Sequence, residues 1–125
     1  MNLNNFTIKS QEAIQKSQEI ALSYQNQSIE CVHILKGIFH VDENIVPYLL
    51  KKMGVNVSLM QQAVDKIITS LPKVVGGNQY LSSEANQMLV KSTQIATDMG
   101  DEFVSIEHLL LAMLSVKDTV ATMLK

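Results

Sequence analysis

The chain contains itself twice: residues 6–50, moved by seventy-five positions, lie without a gap over residues 81–125. Lys16-Ser17 falls on Lys91-Ser92, Ile20-Ala21 on Ile95-Ala96, His33 on His108, Leu35 on Leu110 and Leu49 on Leu124. The apolar spacing of the first helical stretch is preserved as well. Ala13, Ile14, Ser17, Ile20, Ala21 and Tyr24 answer to Met88, Leu89, Ser92, Ile95, Ala96 and Met99, a helical stripe in both copies. Two copies of one helical unit, packed as pseudo-twofold partners, are therefore expected.

A chain of 125 residues with 46% apolar content buries roughly two-thirds of its unfolded surface, enough for one compact domain spanning residues 1–125. Net charge is −2 and Lys and Arg are nowhere clustered, so the electrostatic footprint of a nucleic-acid or anionic-membrane partner is missing. Met1-Asn2-Leu3-Asn4 is no charged leader, and no apolar run approaches the roughly 18 residues of a spanning helix. A soluble, cytoplasmic location is expected. The lone Cys31, set among Ile29, Val32 and Ile34, reads as a small buried residue rather than a reactive thiol.

The first copy, residues 6–70, predicts four helices. The first runs from an N-cap at Thr7 to about Tyr24 and ends in the polar turn Gln25-Asn26-Gln27-Ser28. The second runs from about Glu30 or Cys31 to Phe39, and the third from Asn44 to Met53 with Gly54 at its C-terminal cap and Pro47 in its first turn. The fourth runs from Asn56, its cap, to Ser70. Residues 71–80, with Pro72 and Gly76-Gly77, break the periodicity and join the copies. The second copy, residues 81–125, predicts a helix capped by Ser82 or Ser83 and ending near Met99, a turn at Gly100-Asp101, and helices from Ser105 to Leu114 and from Asp118 to Lys125. It stops where the first copy still has Val57–Ser70 to come, so Lys125 is expected to be a boundary inside a longer chain, with the second copy short of its last helix. Without sustained strand alternation the fold class is all-α.

Catalytic chemistry finds no foothold in this pattern. His33 and His108 each open the second helix of a copy, but further ligands at helical spacing are missing and the counterpart of Glu107 is Val32. A hydrogen bond across the repeat interface is the expected use of both histidines. Gly76-Gly77-Asn78 lacks the Lys and Ser/Thr of a phosphate-binding loop, and no nucleophile motif is present, so no catalytic residue, metal or cofactor is expected. Of the seven methionines, Met88, Met99, Met113 and Met123 fall at core spacing, and Phe103 reads as an anchor for the turn after Gly100.

The motifs Phe6-Thr7-Ile8-Lys9-Ser10-Gln11-Glu12-Ala13-Ile14 and Ile29-Glu30-Cys31-Val32-His33-Ile34-Leu35 resemble the double Clp N-terminal repeat at the front of Clp/Hsp100 AAA+ unfoldases. The stretch from Gly100 to Leu110 repeats the second motif, and Leu71-Pro72-Lys73-Val74 followed by Gly76-Gly77 resembles the ClpB disaggregase branch in particular. The resemblance covers nearly the whole chain. It implies a substrate-engaging domain of a hexameric ATPase, with the ATPase modules, their ATP and magnesium, and the contact to an Hsp70-type system all lying outside this segment. Partners would be unfolded or aggregated polypeptides, and the isolated domain would be a monomer.

Within that branch the implied substrate groove corresponds to Thr7, Leu89, Asp101, Glu107 and His108. Leu89 would form an apolar floor, and Thr7, Asp101 and Glu107 a polar rim, while His108 stands where the branch can carry leucine. Each has a simpler reading: core packing for Leu89, an N-cap for Thr7, and capping or helix-dipole compensation for Asp101 and Glu107. The related ClpC type reads phosphoarginine through a glutamate in each copy, and ClpA and ClpC types dock adaptors. Here the first copy has Val32 where a guanidinium would need a carboxylate.

Overall fold

The computed structural model describes residues 3–115. Among them lie six helices: α1 (Ile8–Ser23), α2 (Cys31–Val41), α3 (Ile45–Lys52), α4 (Val57–Ser70), α5 (Ser83–Asp98) and α6 (Ile106–Ser115). The predicted helix from Asp118 to Lys125, with Met123, falls outside the described residues.

The starts of α1, α4 and α5 are set by short polar side chains that satisfy otherwise orphaned amides. Thr7 Oγ1 accepts from the Ser10 N–H at 3.2 Å, Ser82 Oγ from the Ala85 N–H at 3.0 Å, and Asn56 Oδ1 from the Leu59 N–H at 3.0 Å. Each such cap contributes about 1 kcal/mol. The ends of α1, α3 and α5 are followed by left-handed residues. Gln25 and Gly100, at φ 59° and 75°, close α1 and α5 with matching pairs of hydrogen bonds, and Gly54 at φ 83° follows α3.

α1 packs on α2 and α5 on α6, and α4 lies against α2. The approach of α1 to α2 is close because Gly37 has no side chain. A Cβ there would stand 2.4 Å from the Ala13 carbonyl oxygen. The core runs through both copies, with Ile34, Leu35, Ile38, Leu50 and Ile68 from the first and Met88, Leu89, Leu109 and Met113 from the second fully buried. Cys31 is buried there as a free thiol. Met99 departs from the expectation and is exposed, because the helix ends at Asp98 and the inward stripe ends with it. Phe103, in the turn after Gly100, is half exposed.

Two short strands, β1 (Ser28–Ile29) and β2 (Tyr80–Leu81), pair in parallel with Ile29 opposite Leu81. An isolated bridge joins Phe6 to Val104. Moving Phe6 by seventy-five positions gives Leu81, and moving Val104 back by the same amount gives Ile29. The segment leading into the first helix of each copy thus pairs with the segment leading into the second helix of the other. The Thr7 N–H donates to the Val104 carbonyl at 2.9 Å, and the Ser82 N–H to the Ile29 carbonyl at 3.0 Å. This reciprocal exchange is the pseudo-twofold relation the repeat predicted.

Candidate functional site

Each second helix of a copy begins with a histidine that reaches backwards. His33 Nδ1 accepts the Glu30 N–H at 2.8 Å, and His108 Nδ1 accepts the Ser105 N–H at 2.9 Å. This is the role that glutamate or glutamine takes in a capping box, performed here by imidazole. With Nδ1 accepting, Nε2 carries the proton in the neutral ring. In the first copy it lies 2.9 Å from Asn26 Oδ1, and in the second 2.8 Å from Asp101 Oδ2. Both histidines bond within their own copy, not across the repeat interface as expected, because the turn after the preceding helix supplies the partner. His33 is wholly buried, and burial pulls its pKa from 6.5 to about 4.

Four of the five sequence-predicted groove residues gather around the entry to α6. Asp101 and His108 are bonded to each other, and exposed Glu107 accepts from Ser105 Oγ at 2.7 Å. Thr7 is tied to Val104 through its backbone, while its side chain caps α1. Leu89 stands apart from them in character: it is 1% exposed and belongs to the hydrophobic core.

An apolar groove of about 320 Å³ opens between α3 and α6, lined by Leu49, Leu50 and Met53 on one side and Leu110, Leu111 and Leu114 on the other, with Lys52 and Glu107 also lining it. Of the predicted residues only Glu107 takes part. The leucines were not singled out from sequence, although one signal was available: Leu111 falls on Lys36 when the copies are aligned. In the first copy Lys36 pairs with Asp65 of α4, and the same face is a more polar cleft with Phe39, His40 and Val64 in its lining. In the second copy the equivalent face is apolar and, among the described residues, open.

No group of three or more His, Cys, Asp or Glu side chains among the described residues is placed to hold a metal ion. No helix among them is long and apolar enough to cross a membrane. Every buried side-chain nitrogen or oxygen among them has a hydrogen-bond partner.

The family model for the Clp repeat N-terminal domain matches residues 5–125. The chaperone protein ClpB of Bacteroides thetaiotaomicron is 54% identical over 125 residues, covering 100% of this chain and 14% of its own length. That of Porphyromonas gingivalis is 44% identical with the same coverage. The chain thus spans about 14% of the length of these curated relatives. Among solved structures, the Hsp104 N-terminal domain from Candida albicans superposes with a TM-score of 0.86 at 20% identity, covering 96% of this chain and 79% of the other. The N-terminal domain of the ClpV1 ATPase from Escherichia coli superposes with a TM-score of 0.85 at 17% identity, covering 98% and 77%. These likenesses establish the fold.

Proposed function

The chain belongs to the family of Clp repeat N-terminal domains, of the ClpB chaperone type, and from that premise we propose that it is the substrate-engaging domain of an ATP-dependent disaggregase. It binds exposed apolar segments of unfolded or aggregated polypeptides and passes them to ATPase modules elsewhere in the parent. In this reading the domain is a binding module without a cofactor of its own. It works in the cytoplasm as part of a hexamer that acts with an Hsp70-type system.

The α3–α6 groove carries this reading. It offers six apolar side chains in one surface with a carboxylate, Glu107, beside them. A bare apolar groove takes side chains by shape and size rather than by sequence, and each buried anchor contributes about 1.5–3 kcal/mol before ordering costs. Weak, sequence-tolerant binding follows. Of the other residues the resemblance implies, Thr7, Asp101 and His108 lie around the entry to α6, outside the groove lining, and Leu89 lies in the core. The phosphoarginine reading is not favoured, since the first copy presents the buried Val32 where a carboxylate would be needed.

The test is an NMR titration with an unfolded, apolar-rich protein. Shifts at Leu110, Leu111 and Met53, with affinity reduced about tenfold by Leu111→Ser, support the groove. Shifts untouched by Leu111→Ser and Glu107→Ala sink it. The same titration on a longer N-terminal piece of the parent separates capture of substrate from occupation of the groove by the parent's own chain.

A further inference from the structure

The turns that end α1 and α5 have the same backbone but different surroundings. The Gln25 N–H donates to the Leu22 carbonyl at 3.0 Å and the Asn26 N–H to that of Ala21 at 2.8 Å. Seventy-five positions on, the Gly100 N–H donates to Thr97 at 3.0 Å and the Asp101 N–H to Ala96 at 2.8 Å. The first turn holds a piece of polypeptide. The Val74 N–H donates to the Gln25 carbonyl at 2.8 Å, Asn26 Nδ2 to the Pro72 carbonyl at 3.1 Å, and Gln27 Nε2 to that of Asn78 at 3.2 Å. Under this non-helical segment Asn26 is only 3% exposed. The second turn is uncovered among the described residues: none of them donates to the Gly100 carbonyl, and the Asp101 side chain is 49% exposed.

One substitution between the copies changes what the second turn can hold. Asn26 accepts from His33 with its oxygen and uses its NH₂ to grip a carbonyl of the docked segment. Asp101 keeps the histidine bond but has no N–H to offer, so its carboxylate can only accept. Exposed Glu102 adds a second negative charge on the same turn. A segment docked here must present a donor where the first copy's segment presents a carbonyl, and the donor that also answers the charge is an ammonium or guanidinium.

We infer that the Gly100–Glu102 turn docks a non-helical polypeptide segment bearing lysine or arginine, with a backbone N–H on the Gly100 carbonyl and the cationic side chain on Asp101. The Val74 N–H on the Gln25 carbonyl shows the backbone half of this pose on the equivalent turn, and at Asp101 the cationic side chain takes the place that the Pro72 carbonyl has at Asn26. This rests on the reading of the domain as a substrate-engaging module and names the kind of segment it selects beside the apolar groove.

The probe is a synthetic peptide of this chain's own residues 71–79, which contains Lys73, compared with its Lys73→Gln version, in an NMR titration of the chain. The expected result is shifts at the Gly100, Asp101 and Glu102 amides. Binding should be about two- to fivefold tighter for the lysine peptide, as for an exposed ion pair, and the difference should vanish in high salt or in Asp101→Asn. Asn26 already shows that the amide keeps the histidine bond, so the thermal melt of Asp101→Asn should match that of the parent chain. Equal affinity for the two peptides, shifts elsewhere, or no binding of either overturns the inference. If Leu111→Ser weakens unfolded-protein binding while Asp101→Asn affects neither peptide, the groove stands and the basic-segment site falls. If Asp101→Asn abolishes the preference for lysine while Leu111→Ser changes nothing, the basic-segment site stands and the groove falls.

Discussion

His33 Nε2 lies 2.9 Å from Asn26 Oδ1, and the same bond is made between His108 and Asp101 at 2.8 Å with a carboxylate in place of the amide. In each copy the imidazole therefore joins the turn after one helix to the first turn of the next, through Asn26 and Glu30 in the first and through Asp101 and Ser105 in the second. The first of these staples is sealed: Asn26 also holds Pro72, so His33, the turn and the connection between the copies form one buried network. Buried networks of this kind are costly to break, since each lost partner leaves a polar group without water.

The His33 network sets a pH dependence. Its pKa is held at about 4 in the folded chain by burial, against 6.5 when unfolded, so between these values the unfolded chain binds the extra proton. The contribution to stability is full above pH 6.5, declines as pH falls, and is exhausted below about 4, with a limiting size of order 3 kcal/mol. Urea midpoints at pH 7, 6, 5 and 4 should fall more steeply for the parent chain than for His33→Gln. Parallel curves would show that another group carries the acid sensitivity.

Gly37 predicts the reverse of helix propensity. Alanine in place of glycine in the middle of α2 gains up to about 1 kcal/mol of propensity. The new Cβ would meet the Ala13 carbonyl oxygen at 2.4 Å, a backbone atom that cannot swing aside, so α1 and α2 must move apart. Overpacking wins, and Gly37→Ala should lose about 2 kcal/mol net in chemical denaturation. An unchanged or raised midpoint would mean that the helices separate freely.

Gln25 sits at φ 59° where its counterpart Gly100 sits at 75°. A residue with a Cβ pays about 1 kcal/mol in the left-handed region, and glycine does not. Gln25→Gly should therefore raise stability by about 0.5–1 kcal/mol, less than the full strain because the unfolded chain also gains freedom. A fall in stability would show that the Gln25 side chain contributes more to seating residues 74–79 than its backbone strain costs.

The features readable in the sequence are those that local rules control. Thr7, Ser82 and Asn56 cap because their oxygens reach the third amide beyond them, and the shift of seventy-five positions carries α1 and α2 onto α5 and α6. The crossed pairing of Phe6 with Val104 and Ile29 with Leu81 left no trace, because two-residue strands have no alternation to read. Met99 was misplaced because a stripe carried past the helix end keeps its phase in the sequence but not in space. The groove was hidden for another reason. Leu49 and Leu110 come from different copies, and how the copies dock depends on side chains from all six helices.

Leu89 and Leu111 give opposite predictions that locate the functional surface. Leu89 is 1% exposed within the core, and its replacement by serine loses apolar burial and leaves a cavity, a cost of about 3–5 kcal/mol. Leu89→Ser should therefore melt far below the parent chain, and any loss of binding would follow from loss of fold. Leu111 is 43% exposed on the groove wall, so Leu111→Ser should shift stability by no more than about 1 kcal/mol while weakening capture of an unfolded polypeptide. Calorimetry on both variants beside the binding titration separates the two effects. A Leu89→Ser domain that melts normally yet fails to bind would move the capture surface from the α3–α6 groove to α5.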